Sequence, residues 1–558
     1  MGSIPGRRHV RQDARFKPII RGSLARAWAR RMLSVASLVL GAASGDLATL
    51  RFRNIDQAGS ASVLNIGTLT ANGGANSVSL SAVNGGALAN GTYLLANFTT
   101  PLADFTAFTV GAISGLGGRQ SGSLVTSDLS KLSLLVSGDS VRWQGDVSGT
   151  ADPVWHQPGG ANNLRVVPGD APTDFRANDA IVFNDAALTG TVQISEGAVV
   201  PSSVTFENAT LAYAFSGDFG ITGATGIVKN GAAQVTFSNV GNNLTGGVTV
   251  NAGTLVFQSA QTIAGGLTVN GGNLVLGAAN TLSGNVVLNG AGVLTLGAAN
   301  ALGSGHSVAF GSGATGQLQL GGISVEVSGL STHATVGTPT VVNGATGTTA
   351  TLSVGVASGS QAFAGVLADG LGSLAFVKNG AGAFVLTGAN TFTGGTTVSA
   401  GTLRVGQGGA LDWADIAAGA LLAFDRADSF SHSGDTYGLG TVSVVGGGNM
   451  TITGALSHNG GTLVGSGQIL TLGTGSSVGG AGALTVDGSL KVNSTGSAAI
   501  GSVIGGVGSL SVDAGTLVLT GANTYQGTTT VASGATLQIG VGSVDGSLPP
   551  SAVVANSG

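Results

Sequence analysis

The sequence predicts an all-β fold: a parallel β-helix, or β-solenoid, with a short helical targeting segment at the N-terminus. Three observations carry this. GGVTVNAGTLVF (246–257), GGLTVNGGNLVL (265–276) and GNVVLNGAGVLTL (284–296) align, so that positions 248, 267 and 286 step by 19, and positions 255, 274 and 294 by 19 and then 20. Within each step apolar and small polar residues alternate, which puts successive side chains on opposite faces of a strand. The composition agrees: 99 Gly in 558 residues, 8% charged and 42% hydrophobic. That means many short strands joined by tight turns, with enough apolar surface to exclude disorder. Pro is rare and no Gly-X-Y period exists, which excludes collagen. A step near 20 describes turns that stack on one another. A sandwich would need longer strands, and a propeller a period near 40 with aromatic blade signatures. One turn cannot bury enough to order itself, so at least three must cooperate. The length allows about 25 turns at roughly 4.8 Å each, a rod on the order of 120 Å.

Taken in order, residues 1–44 form a basic N-terminus and a candidate signal peptide. Residues 1–31 carry nine Lys/Arg against Asp13 alone, which leaves 12 basic and 24 acidic residues in the remainder. Met32–Ala43 is an apolar run directly behind Arg30-Arg31 and is followed by Ser44-Gly45. This is the order of a secretory signal, too short to span a membrane as a helix. Residues 45–140 read as an irregular, β-rich start of the solenoid. Residues 141–225 are the least repetitive part, with Trp143, Trp155 and polar turns around Asp170 and Asp179. From 226 to 558 the repeats take over. In the three aligned turns Leu267, Val269, Leu274 and Leu276 should face inward, and Asn251, Asn270 and Asn289 should stack as a ladder. Gly at other corners supplies positive φ. The mildly acidic body offers no basic stripe for nucleic acid. Cysteine is absent, so disulfides and thiolate metal sites are excluded.

The run GANTFTGGTTVSAGTL (388–403) returns at 521–537 and more loosely at 241–255, with Lys378-Asn379-Gly380 and Lys229-Asn230-Gly231 ahead of two copies. It resembles the autotransporter-associated β-strand repeat of Gram-negative autotransporters. The segment from Val141-Arg142-Trp143 through Ile181-Val182-Phe183 to Val204-Thr205-Phe206 resembles the lead-in to such repeats. The resemblance implies a right-handed parallel β-helix in a secreted or surface-displayed passenger, often an adhesin, whose partner is an outer-membrane translocator barrel. No barrel pattern of about 10-residue strands with aromatic girdles is legible in this chain. The expectation is a passenger whose barrel is absent, which stays periplasmic if expressed without one.

Candidates for chemistry are few. Gly475-Ser476-Ser477-Val478-Gly479 fits G-x-S-x-G, without the strand–elbow–helix context a nucleophile needs. Gly138-Asp139-Ser140 resembles the opening of a GDS-type esterase block but reads as a turn. His9, His156, His306, His333, His432 and His458 show no zinc spacing. Asp412, Asp415, Asp425, Asp428 and Asp435 form the one acidic cluster, with two 13-residue steps that would align carboxylates for Ca²⁺ or for acid–base work on a polysaccharide. Solvated corners are the plainer reading. The sequence thus assigns no catalytic, cofactor-binding or metal residues and no cofactor. It predicts a non-enzymatic stalk or adhesin-like scaffold that contacts a host or neighbouring cell surface. The alternatives are a self-associating, autoaggregating stalk and a polysaccharide-acting β-helix enzyme. The enzyme would need bases on one face, and 226–558 offers only Lys229, Lys378, Arg404, Arg426 and Lys491.

Overall fold

The computed structural model describes residues 33–40, 49–55, 64–71, 76–82, 88, 91–114, 116, 119–138, 140–167, 169–550 and 553–556. These residues form strands and turns, with no helix among them. The helical targeting segment is therefore corrected over Leu33–Leu40, which is a strand paired in parallel with Leu64–Ala71. A short apolar run satisfies either structure, and a neighbouring strand in register decides for the sheet. The rest of 1–44 lies outside the described residues.

Leu33–Leu40, Leu64–Ala71 and Gly91–Phe98 pair in parallel, as do Thr49–Ile55, Asn76–Ala82 and Phe108–Ser114 on a second sheet. The chain thus coils three times between two sheets. It then reverses: Gln120–Val125 and Lys131–Gly138 form an antiparallel pair, and the second of these runs antiparallel to Gly91–Phe98. Tyr93, Leu95, Leu132, Leu134 and Val136 fill a core of their own.

A second, much larger core begins at Val141. Ser140–Trp143 opens an 11-stranded sheet, and Thr191–Gln193 opens a nine-stranded one. Three short strands, Asn243–Leu244, Thr262–Ile263 and Thr281–Leu282, make a third side. Farther along, the turns continue in a 16-stranded and an eight-stranded sheet. Pairing between successive turns is parallel. The result is a parallel β-solenoid of about 18 turns. The expected 25 came from dividing the whole length by one step. The described residues between 33 and 138 share a core of their own instead, and many later steps exceed 20, as in Val286↔Val308↔Leu330.

The central register is the expected one: Val248↔Leu267↔Val286 on one sheet and Leu255↔Leu274↔Leu294 on the other. Leu267, Val269, Leu274 and Leu276 are all buried. Residues 141–200, which break the repeat, close the N-terminal end of this stack. Leu164–Val167 lies antiparallel along Ser140–Trp143, covering an edge that would otherwise template further pairing. Trp143, Trp155, Phe175 and Phe183 pack behind it, with ring centroids 5.8 Å apart for Trp143–Phe183 and 5.5 Å for Trp155–Phe175. The aromatic column runs on through Phe215–Phe237 (4.4 Å) and Phe237–Phe257 (5.3 Å) before Leu276 takes over the position. Buried ion pairs tie the region down. Arg165 bonds Asp146 at 2.6 Å, and Arg119, from the first core, bonds Asp179 at 3.1 Å.

Candidate functional site

The repeated chemistry of this chain lies between turns. In the run that opens G-A-N-T, Asn390 turns inward and its Oδ1 accepts the backbone N–H of Leu367, one turn earlier, at 2.9 Å. Asn242 does the same for Ile221 (2.7 Å), Asn280 for Gln261 (2.9 Å) and Asn523 for Ile504 (2.9 Å). These four side chains are buried. A corner that lacks a ladder partner would leave a buried amide unpaired, and the Asn carboxamide supplies the acceptor. Two residues on, Leu244, Leu282, Phe392 and Tyr525 fill the same corner from within. Next come Gly246, Gly284, Gly394 and Gly527. A Cβ at any of them would sit 2.2–2.5 Å from the backbone of the preceding turn, so the turns stack only if these positions stay glycine. Replacing Asn390 by Ala strands the Leu367 amide and should cost about 1–3 kcal/mol. Asn251→Ala on the outer surface should cost well under that. Urea midpoints of the two variants check the contrast.

The outer ladder forms as expected and is longer by one rung. Asn289 donates to Asn270 (2.9 Å), Asn270 to Asn251 (2.7 Å) and Asn251 to Asn230 (2.7 Å). The same Lys-Asn-Gly corner holds a residue whose role the sequence does not reveal. Lys229 and Lys378 point into the solenoid and are fully buried. The Lys378 ammonium donates to the carbonyls of Asn379 (2.7 Å), Gly380 (2.8 Å) and Ala400 (3.2 Å). Lys229 reaches Gly231 and Ala252 in the same manner. Burial pushes the Lys229 ammonium down to about 8 and lowers that of Lys378. Their only signal in the sequence is recurrence before Asn-Gly at an otherwise apolar inward position.

The other basic side chains of the repeats are paired: Arg404 with Asp425 (2.9 Å), Arg426 with Asp428 (Nε–Oδ1 2.9 Å) and Lys491 with Asp513 (3.7 Å). The acidic cluster does not converge. Asp415 lies on Ala414–Ile416 of the 16-stranded sheet and Asp425 ends Leu421–Asp425 of the eight-stranded one. A 13-residue step is shorter than a turn, so it carries the chain to another side instead of stacking. Asp435 bonds the Ala455 amide (2.7 Å) and the Tyr437 hydroxyl (2.8 Å). Among the described residues no three His, Asp or Glu side chains are placed to share a metal ion. Ser477 sits in the strand Ser477–Val478, and Ser476 donates to the Gly473 carbonyl (2.7 Å). Asp139 and His9 lie outside the described residues. His156 is held between Asp152 (2.8 Å) and Glu196 (2.9 Å) at the N-terminal cap, while His432 and His458 are buried in the solenoid.

Stacked turns, inward Asn hydrogen bonds and paired Arg and Lys side chains on the surface define a class: a repeat-built parallel β-solenoid whose recurring geometry serves stacking. The comparisons with known proteins refine it. Residues 227–257, 252–276, 376–405 and 512–539 match the Passenger-associated-transport-repeat family. These are the segments that carry Asn242, Asn390 and Asn523, with Gln261 at the corresponding place in 252–276. The chain is also 37% identical over 87 residues to the Adhesin BmaC autotransporter of Brucella suis biovar 1 (strain 1330). That stretch is 15% of this chain and 2% of the relative, so the chain spans a small part of that protein's length. No solved structure matches. Residues 227–276, 376–405 and 512–539 are thus built on passenger-associated-transport repeats, and the chain resembles an autotransporter passenger in these parts.

Proposed function

We propose that this chain is the exported, non-enzymatic rod of an autotransporter, an adhesin-like scaffold secreted or displayed through the outer membrane of a Gram-negative bacterium. The observation that carries the reading is the coincidence of the repeat matches with the inter-turn Asn corners of a parallel stack. Such a stack suits passage as an unfolded chain. It has no Cys to cross-link, and each turn that emerges gains its hydrogen bonds and core contacts from the turn beside it. The likeness to an autotransporter adhesin supports the scaffold role. The pairing of Arg404, Arg426 and Lys491 and the inward burial of Lys229 and Lys378 leave none of the five Lys and Arg side chains of 226–558 gathered on one outer face, which weighs against the enzymatic alternative.

The partner in export is an outer-membrane translocator barrel. Fused ahead of an autotransporter barrel in a Gram-negative host, the chain should become accessible to protease and to antibody on intact cells. Those cells should adhere to host-cell or abiotic surfaces more than cells displaying the barrel alone. Retention of the fusion inside the cell would overturn the export reading. Surface display with sedimentation of the cells, and no adhesion, would favour the self-associating stalk.

A further inference from the structure

We propose that Trp413, Asp415 and Tyr437 form a docking platform for an arginine-bearing basic peptide segment of a partner protein. The solenoid hides its aromatic side chains: among the described residues the exposed ones are Phe219, Trp413 (39%) and Tyr437 (43%). Tyr437 lies in a strand of the 16-stranded sheet, where Thr397, Asp415 and Tyr437 are register partners, and Trp413 immediately precedes Ala414–Ile416, the strand of the turn before it, on the same outer face.

Neither ring projects freely. A Cβ at Gly395 would fall 2.1 Å from Cε2 and Cζ2 of Trp413, so the indole lies against the glycine of the preceding turn, which also holds φ +83°. Tyr437 is tethered at its hydroxyl to Asp435 (2.8 Å). Two aromatic groups are thus pre-positioned on a rigid sheet, and ordering them on binding costs little.

The chemistry around them is negative. Asp415 makes no hydrogen bond or ion pair among the described residues, and its Oδ1 lies 2.5 Å from the place a Cβ of Gly438 would take, beside Tyr437. Asp412 adds a second carboxylate next to Trp413 in the chain. The strands Thr396–Val398, Ala414–Ile416 and Thr436–Gly438 carry no basic residue. Aromatic faces ringed by carboxylates attract cations. A guanidinium satisfies both parts at once, stacking on the indole while its planar fork meets a carboxylate in bidentate fashion, whereas an ammonium binds as a point charge.

The test titrates the full chain with a flexible Arg/Gly peptide of about ten residues, the Lys/Gly equivalent and a neutral glucose oligosaccharide. Calorimetry gives affinity, and the fluorescence difference between wild type and Trp413→Phe isolates Trp413 from Trp28, Trp143 and Trp155. The Arg peptide should bind and perturb Trp413, and the Lys peptide should bind several-fold more weakly. Asp415→Asn, an exposed isosteric change, should weaken the Arg peptide about tenfold. Asp545→Asn, elsewhere on the surface, should leave its affinity unchanged and so control for general attraction to an acidic body. Equal affinity for wild type and Asp415→Asn would overturn the proposal. So would an oligosaccharide that perturbs Trp413 where the Arg peptide does not, which would make the platform a glycan surface.

Discussion

Val269→Asp should break the solenoid locally and leave its C-terminal half intact. Val269 is fully buried in the column Val250↔Val269↔Leu288, with Leu274 and Leu276 inward on the neighbouring strand. The nearest cation is the Lys229 ammonium, two rungs back in the same column, and the Gly231 and Ala252 carbonyls already engage it, so a carboxylate at 269 meets no free partner. It must either ionise in an apolar interior or hold its proton well above the usual carboxylate range. Either course costs several kcal/mol, about 3–5 once the lost valine packing is included. Turns of a solenoid couple chiefly to their neighbours, so the damage should stay near its origin. Protease cutting should begin close to residue 269 while 372–540 persists as a resistant fragment. Thr268→Asp is the control: one residue away, it faces outward and should change little. Simultaneous loss of both halves would show instead that the stack melts as one cooperative unit.

What was legible in the sequence was whatever repeats. The columns through 248, 267 and 286 and through 255, 274 and 294 could be written down because identical turns force identical inward positions, and the structure places them in that register. The Asn251–Asn270–Asn289 ladder followed from the same step. What does not repeat was illegible. The N-terminal closure is made once, from Trp143, Trp155, Phe175 and one antiparallel strand at Leu164–Val167, and no period announces it. The strand at Leu33–Leu40 depends on a partner 31 residues on, whereas a targeting signal is read from local order alone. Nothing in the sequence marks Asn280 and Asn390 as inward, because that orientation depends on the height of the neighbouring turn. Lys229 and Lys378 carry the charge of surface residues and the position of core residues. The candidate chemistry misled for a related reason. Equal spacing aligned Asp412 with Asp425 on paper, whereas alignment on a solenoid needs a whole turn.

Acid should open the solenoid around residues 424–464 before it affects the turns at 248–296, and His432 should be the trigger. His432 ends the strand Phe430–His432 facing inward, pairs in register with Ile452 and lies 5.0 Å from the Phe424 ring. Its Nε2 has no hydrogen-bond partner. Burial lowers the imidazole to about 4, and the carboxylate of Asp435 only partly offsets this. His458, one turn on, is lowered in the same direction, its ring nitrogens engaged by Thr436, Thr462 and the Gly461 carbonyl. In the unfolded chain both imidazoles take up a proton near 6.5. Between that value and about 4 the unfolded state therefore binds more protons than the folded one, and stability falls as pH falls. The His432 contribution is fully present above 6.5 and is lost on the way down, about 2 kcal/mol between pH 6.5 and 4.5. His156 is raised by its two carboxylates and acts in the opposite sense, in the window above 6.5, so the two effects separate on the pH axis. The turns at 248–296 contain no histidine and should hold across this range. Urea unfolding followed by peptide-resolved hydrogen exchange, with labelling at one fixed pH after equilibration at 6.5 or 4.5, measures both regions in one sample. His432→Leu should flatten most of the pH dependence at 424–464. An unchanged slope in that variant would place the acid sensitivity on other groups.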